Sequence, residues 1–282
     1  MARIIAVSNQ KGGVGKTTTA INLSSCLAAH GRKVLLVDLD PQANATSGLG
    51  FSPGALEKTM YDVILHEESV SDVILEGKLN GLHLAPANQD LSGVEIELVS
   101  EICRESRLKE ALEPIESDFD FIIIDTPPTL GLITVNALTA AHSVLIPMQS
   151  EYYALEGLSL LVKTTSLIQK RLNPHLQREG VLLTMYDGRN KLCLQVEKEI
   201  RQHFGDEVFR TVIPRNVRLS EAPSHGKPII LYDFSSKGSQ AYMDVASELL
   251  ERYPNDKPVL KLTRIDLPGR LRQEQIGGQA DA

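Results

Sequence analysis

The chain has 282 residues, of which 42% are hydrophobic and only 5% aromatic, and it carries a formal net charge of −7. This size permits one large α/β core, although length alone would also permit two domains, and the shortage of aromatic residues predicts a core of aliphatic side chains. No apolar run reaches the roughly 18 residues of a membrane-spanning helix, and the first motif begins too near Met1 to leave room for a signal peptide, so we expect a cytoplasmic protein.

The first predicted elements are a strand, a glycine-rich loop and a helix. Residues 3–8 form a β-branched apolar run, and residues 18–30 alternate small and apolar residues at helical spacing. Between them, residues 11–18 read Lys-Gly-Gly-Val-Gly-Lys-Thr-Thr. This order aims the positive end of the helix dipole at the loop, which suits phosphate groups. The segment therefore predicts a site for a nucleoside triphosphate.

Each residue type in this loop suits one part of a triphosphate and its Mg²⁺. Four residues let backbone N–H groups close around phosphate oxygens: Gly12, Gly13, Val14 and Gly15. We expect the Lys16 ammonium at the terminal phosphates and the Thr17 hydroxyl on Mg²⁺. Lys11 is an additional cation at the loop entrance, too far back to serve the same phosphates. It could instead reach a phosphate that is bound by a neighbouring subunit.

Carboxylates stand at the ends of two further predicted strands. Residues 33–38 are apolar and end in Asp38, with Asp40 two residues later, and residues 119–125 form the most apolar strand and end in Asp125. We expect Asp125 to hold Mg²⁺ directly or through water. Asp40 is the better candidate to orient an attacking water, and Asp38 is free for another role. For either residue, a buried structural aspartate that caps the next loop is the alternative.

Strands and helices alternate along the rest of the chain. Further strands are predicted at 82–86, 143–148, 180–184 and 208–213, helices at 93–112, 156–171, 191–204 and 238–253, and a polar loop at 43–47. Three scattered cysteines lack metal-ligand spacing, and Cys26 is expected in the core. The pattern predicts a doubly wound, mostly parallel α/β sheet flanked by helices, with its ligand at the carboxyl ends of the strands.

Three segments together resemble the deviant Walker A, Walker A′ and Walker B motifs of the ParA/MinD ATPases. They are residues 11–18, residues 37–42 (Val-Asp-Leu-Asp-Pro-Gln) and residues 124–128 (Ile-Asp-Thr-Pro-Pro). Residues 212–226, from Val-Ile-Pro-Arg-Asn to Pro-Ser-His-Gly, are similar to the ParA branch of the small chromosomal Soj type. The resemblance spans residues 3–253.

The resemblance implies a P-loop NTPase fold that uses ATP and Mg²⁺. It also implies an ATP-dependent sandwich dimer, in which each Lys11 contacts the nucleotide of the opposite subunit. The dimer would bind double-stranded DNA without sequence preference, and a ParB-like centromere-binding protein would stimulate its slow hydrolysis. Residue by residue, the resemblance gives the same roles to Lys11, Lys16, Thr17, Asp40 and Asp125, and it adds Thr18 as a contact to the α-phosphate. Pro214 and Asn216 would lie beside the adenine or the dimer seam, with a plain connecting loop as the alternative.

Basic residues are concentrated in one part of the chain. Residues 161–230 contain twelve Lys or Arg and seven Asp or Glu, a balance of +5 that leaves −12 for the remainder of a chain at −7. The candidates for DNA contact are Arg189, Lys191, Lys198, Arg201, Arg215 and Arg218. A solvated basic face is the alternative. The resemblance favours contacts around Arg189 and Arg218.

The sequence predicts one ATPase domain at residues 1–253 and a flexible tail at 254–282. The first strand begins at residue 3, so we do not expect the helix-turn-helix extension of longer plasmid relatives. The tail contains three prolines and a Gly-Gly pair, which argues against the amphipathic membrane helix of a MinD-like division-site ATPase, the main alternative. The cysteines argue against an electron-transfer ATPase of the nitrogenase iron-protein kind. We expect no membrane partner and a nucleoid-associated location in the cytoplasm.

Overall fold

The fold is organised around a seven-stranded sheet. The computed structural model describes residues 1–65, 67–151 and 154–253, and only the backbone of residues 154–161. The strands of this sheet are β1 (Arg3–Val7), β2 (Val34–Asp38), β3 (Leu75–Glu76), β4 (Leu82–Ala85), β5 (Phe121–Asp125), β6 (Ser143–Gln149) and β7 (Gln177–Thr184). They lie in the order β3-β4-β2-β5-β1-β6-β7, and all pairs are parallel except β3 with β4.

Helices cover both faces of the sheet. In the described part of the chain they are α1 (Lys16–Ala29), α2 (Asn44–Gly48), α3 (Met60–Ile64), α4 (Val70–Val73), α5 (Val94–Glu97), α6 (Arg107–Leu112), α7 (Leu132–Ala140), α8 (Ala154–Arg171), α9 (Lys191–Phe204), α10 (Val217–Glu221), α11 (Ile229–Tyr232) and α12 (Lys237–Glu251). Helix α1 packs with α12 on one face, and α6 packs with α7 on the other. This arrangement confirms the predicted doubly wound α/β fold. Among the described residues, no helix combines the length and the apolar character that crossing a bilayer requires.

The core lies on both faces because successive side chains of a strand point to opposite sides. In β5, Ile122 and Ile124 belong to the cluster on one face, whereas Phe121 and Ile123 belong to the cluster on the other, and all four are fully buried. Both clusters are mainly aliphatic, as predicted. Cys26 is buried in the second cluster as a free thiol, which confirms its expected place in the core.

The topology brings the carboxyl ends of three strands to one edge of the sheet. Strand β5 lies between β1 and β2, and in this register Asp125 pairs with Val7 on one side and with Asp38 on the other. The loop that follows β1 runs directly into α1. The glycine-rich loop and the two strand-end carboxylates are therefore neighbours in space.

The predicted strand at 208–213 does not form. The N–H groups of residues 209 and 213 donate to carbonyls of β7, and isolated bridges join Val208 to Val181 and the following Pro214 to Tyr186, without a regular ladder between them. The backbone N–H groups of residues 210 and 211 instead donate to the two carboxylate oxygens of Glu248 on α12, at 2.8 and 3.0 Å. Glu248 therefore holds the N–H groups that lie between the two residues paired with β7, and the pairing with β7 is interrupted there.

The predicted helix at 93–112 is also wrong as a continuous element. It is divided into α5 and α6, and Cys103 between them has a φ of 57°, a left-handed conformation that interrupts a helix. In the described part of the chain, six helices were not predicted: α2, α3, α4, α7, α10 and α11. Helix α7 is apolar around most of its circumference, and the short α2 replaces the expected polar loop.

Candidate functional site

The loop between β1 and α1 surrounds a space in front of the first turn of α1. Gly13 and Gly15 have φ values of 73° and 86°, in the left-handed region that favours glycine. Gly15 immediately precedes α1, and no side chain of the described residues caps that end of the helix. The first N–H groups of α1 are therefore available to an anion, as a phosphate site requires.

Strands β6 and β7 hold this loop in place from the side. The Gln149 amide donates to the carbonyl of Gly13 at 2.9 Å, and the Thr184 hydroxyl donates to the carbonyl of Val14 at 2.8 Å. At the loop entrance, the Asn9 amide donates to a β6 carbonyl at 2.8 Å. Sequence reasoning missed these three supporting side chains, and their only signal is a position at or just beyond the carboxyl end of a strand.

The Lys16 side chain turns back beneath the loop. Its ammonium donates to the carbonyl of Lys11 at 3.4 Å, and the residue is 7% exposed. Burial lowers the pKa of Lys16, while the charges of Asp125 and Asp40 act in the opposite direction. The structure thus brings together the loop lysine and both predicted carboxylates.

Asp125 is a buried carboxylate whose hydrogen-bonding capacity is not satisfied. It is fully buried, and neither oxygen makes a hydrogen bond of normal geometry with any described residue. Burial raises its pKa well above the usual range and Asp38 adds to this shift, whereas the nearby Thr17 hydroxyl and the Lys16 charge lower it. An unpaired buried charge is destabilising, and a divalent cation would compensate for it. One carboxylate and one hydroxyl beside a phosphate site fit Mg²⁺, which keeps several of its waters.

Asp38 holds the loop that follows β2. One of its oxygens accepts from the Asp40 N–H at 3.2 Å, and the other accepts from both the N–H and the hydroxyl of Thr46 at 2.8 Å. The Thr46 hydroxyl in turn accepts from the Ala87 N–H at 3.0 Å. Burial raises the pKa of Asp38 to about 6, against the lowering effect of the Thr46 bonds. Of the two readings open for Asp38, the structure supports the structural one.

Asp40 lies at the start of the same loop, two residues after the end of β2. It is 7% exposed, and its carboxylate accepts from the Gln42 N–H at 3.0 Å. Ala43, which follows, has a φ of 51°, an unusual conformation for a residue with a side chain. The loop is therefore held in one conformation, with the Asp40 carboxylate close enough to Lys16 to affect its pKa.

Lys11 lies at the rim of the site. Its ammonium pairs with a carboxylate oxygen of Glu151 at 2.6 Å, and the two side chains are 41% and 51% exposed. Exposed ion pairs of this kind contribute little stability, so the Lys11 side chain is free to change partner. Glu151 was not singled out from the sequence.

A cavity of about 610 Å³ extends from the first turn of α1 to the loop before α10. Its lining includes Gly15, Thr17, Thr18, Pro214, Asn216 and Pro223. The side-chain carbonyl of Asn216 caps α10 by accepting from the Arg218 N–H at 2.8 Å. The late loop thus faces the same space as the phosphate loop, in a cavity of the size that holds small-molecule ligands.

Five of the six basic candidates are exposed, and the sixth is committed to internal contacts. The exposed ones are Arg189, Lys191, Lys198, Arg215 and Arg218. Arg189 has a 92% exposed side chain that pairs with the neighbouring Asp187. Arg201 donates to Glu197 at 2.8 Å and to the carbonyls of residues 209 and 210. Its guanidinium is therefore used to hold α9 against the following segment.

A glycine-rich loop at a helix N-terminus, a buried strand-end carboxylate and an adjoining cavity define a P-loop nucleotide-binding protein. A family model described as an AAA domain matches residues 2–178. The chain is 58% identical over 249 residues to the sporulation initiation inhibitor protein Soj of Bacillus subtilis, and the match covers 88% of this chain and 98% of that protein. The chain belongs to the Soj/ParA family of chromosome-partitioning ATPases.

Two further comparisons agree with this assignment. The chain is 53% identical over 252 residues to the chromosome partitioning protein ParA of Myxococcus xanthus, with 89% of each chain covered. A solved structure of cobyrinic acid a,c-diamide synthase from Mycobacterium smegmatis, with a bound ATP analogue and magnesium, superposes with a TM-score of 0.80. That match has 37% identity and covers 93% of this chain and 100% of the other.

Proposed function

We propose that this protein is a Mg²⁺-dependent ATPase that partitions chromosomes through an ATP-bound dimer that binds DNA. The observation that carries the proposal is the grouping of Lys16, Thr17 and the buried Asp125 at the open N-terminus of α1. Phosphate oxygens would meet the N–H groups of the loop and the Lys16 ammonium, with Thr18 at the α-phosphate. Adenine would lie at the Pro214 and Asn216 end of the cavity.

Phosphoryl transfer depends mainly on positioning and on charge neutralisation. Thr17 and Asp125 would hold Mg²⁺, which neutralises charge on the phosphates when bound. Lys16, whose charge is favoured by two nearby carboxylates, would stabilise negative charge at the terminal phosphate. Asp40, fixed by the loop that Asp38 supports, orients the attacking water. If positioning is complete only in the dimer, we expect turnover by the single chain to be slow.

The dimer would be completed by Lys11. In the single chain its ammonium is bound to Glu151 at the rim, not to the phosphate loop interior. Because this exposed ion pair is weak, a phosphate on a facing subunit is a competitive partner for the ammonium. Two pockets that face each other would each receive Lys11 from the opposite subunit, and the loss of the terminal phosphate would weaken the dimer.

DNA binding would use five exposed basic side chains: Arg189, Lys191, Lys198, Arg215 and Arg218. We omit Arg201 because its guanidinium already binds Glu197 and two backbone carbonyls. Arg218 is paired with Glu221 at 2.9 Å and with Asp233 at 3.5 Å, so it would have to exchange partners. Side chains of this kind would contact the phosphates of DNA and not its bases. The binding would therefore be independent of DNA sequence and sensitive to salt.

The remaining parts of the proposal concern partners and location. A ParB-like centromere-binding protein would stimulate hydrolysis, and the DNA-bound dimer would place the protein on the nucleoid in the cytoplasm. We assign residues 1–253 to the ATPase domain. The expected flexible tail at 254–282, on which the argument against a MinD-like membrane role depends, lies outside the described residues.

The test is nucleotide-dependent retention of duplex DNA. Fluorescence anisotropy of a labelled duplex of arbitrary sequence is measured at low salt with ATP, with ADP and with no nucleotide, using Lys16→Ala as the control. We expect retention with ATP only, falling steeply as salt is raised. Equal binding with ADP, or an affinity that does not change with salt, would contradict the proposal.

A further inference from the structure

The segment around α5 carries three exposed apolar side chains that the nucleotide site does not use. Ile96, Val99 and Ile102 are 78%, 65% and 86% exposed. We call these three residues the 96–102 patch. Neighbouring side chains of the same segment, Val94 and Leu98, are buried in the core, so the patch is the outer side of an anchored segment. Exposed aliphatic residues concentrated in so short a segment are typical of interaction surfaces.

The segment is attached to α7 at two points. The Glu95 carboxylate accepts from the Leu132 N–H at 2.8 Å, at the first turn of α7. From the middle of α7, the buried Asn136 accepts from the Leu108 N–H at 3.1 Å and donates to the Arg104 carbonyl at 2.8 Å. The patch therefore lies on a fixed platform and not on an unsupported loop.

The surroundings of the patch are acidic. Residues 89–113 contain seven Asp or Glu and three Lys or Arg, a net charge of −4. Two of the three basic side chains are neutralised locally, because Arg107 pairs with Glu101 and Arg104 pairs with Glu105. Glu95 and Glu97 are exposed on either side of Ile96. A second copy of this surface would meet like charges, which disfavours self-association through the patch.

We propose that the 96–102 patch is a docking surface for a basic amphipathic helix of a partner protein. The apolar side of such a helix would cover Ile96, Val99 and Ile102, and its Lys or Arg residues would face the surrounding carboxylates. The proposal does not depend on the nucleotide site, and it is tested without ATP.

The chain has no Trp, so a Trp-labelled probe can be followed without background from the protein. The probe is a synthetic amphipathic helix of leucine and lysine that contains one Trp. Its controls are a scrambled peptide of the same composition and a peptide with Glu in place of Lys. The protein variants are wild type, the triple variant Ile96→Ser, Val99→Ser, Ile102→Ser, and Leu167→Ser, which alters a 50% exposed leucine on α8.

We expect the amphipathic basic peptide to bind wild type and Leu167→Ser with equal affinity. The triple variant should bind it at least about tenfold more weakly. Far-UV circular dichroism checks that the triple variant folds. The variant Val99→Lys places a positive charge against the lysines of the peptide, and we expect it to lose binding independently. Equal binding by the scrambled peptide would overturn the proposal, as would undiminished binding by the triple variant and Val99→Lys. Self-association of the wild type that the triple variant abolishes, seen by sedimentation, would also overturn it.

Discussion

Thr46 links the loop that carries Asp40 to the rest of the sheet edge. Its hydroxyl donates to the Asp38 carboxylate at 2.8 Å and accepts from the Ala87 N–H at 3.0 Å, and the residue is fully buried. Thr46→Val keeps the shape of the side chain and removes both hydrogen bonds. Thr46→Ser keeps both hydrogen bonds and removes one methyl group, which makes it the matched control.

The expected loss of stability follows from these contacts. A hydrogen bond to a charged group contributes about 1.5–3 kcal/mol, and a buried N–H left without an acceptor costs about 1–3 kcal/mol. We therefore expect Thr46→Val to lower the free energy of unfolding by about 3 kcal/mol. Removal of one buried methyl in Thr46→Ser should lower it by about 1 kcal/mol.

Urea unfolding of the nucleotide-free protein at neutral pH measures both changes, provided that the dependence of the free energy on urea is the same in all three proteins. The valine variant should unfold at clearly lower urea than the serine variant. If Thr46→Val is as stable as Thr46→Ser, the hydroxyl does not hold this loop, and the account of how Asp40 is positioned is wrong.

Three further predictions test the site and its surroundings. Lys16→Ala should abolish nucleotide binding, whereas Asp40→Ala should keep it and lose turnover, and calorimetry together with phosphate release separates the two; full turnover by Asp40→Ala would reject its role. Because burial raises the pKa of Asp38 from 3.8 to about 6, its contribution to stability is present below pH 3.8 and is lost as pH rises through 6. The urea midpoint of wild type relative to Asp38→Asn should therefore fall across that interval in the nucleotide-free protein, and a flat difference would contradict the shift. Arg189→Ala should weaken DNA binding and lower its salt dependence without loss of stability, whereas Arg201→Ala should mainly lower the melting temperature; the reverse pattern would contradict the contacts described for Arg201.

The site residues that could be predicted are those marked by the succession of strand, loop and helix in the sequence. Lys16 comes after the buried strand β1 and Asp125 is the last residue of β5. In a parallel sheet the ends of neighbouring strands meet at one edge. Periodicity also predicted most strands and the long helices. It failed at residues 208–213, where residues 209 and 213 donate to β7 but Glu248 on a distant helix accepts from the N–H groups of residues 210 and 211 between them.

The supports of the site were not predictable, because they act across long separations in sequence. Gln149 and Thr184 hold the phosphate loop from 136 and 170 residues away. Neither carries a motif, and polar residues at strand ends are common. The role of Asp38 was undecided for the same reason, since only the positions of the surrounding N–H groups show that its carboxylate is already in use.

The central claim is that Lys11 of one subunit completes the nucleotide site of another. Sedimentation of the wild type and of Lys11→Ala with a non-hydrolysable ATP analogue and Mg²⁺, and with ADP and Mg²⁺, tests it most directly. The account predicts a dimer for the wild type with the analogue only, and a monomer for Lys11→Ala that still binds the analogue. A wild type that stays monomeric while saturated with the analogue, or a Lys11→Ala variant that dimerises as tightly as wild type, would contradict it.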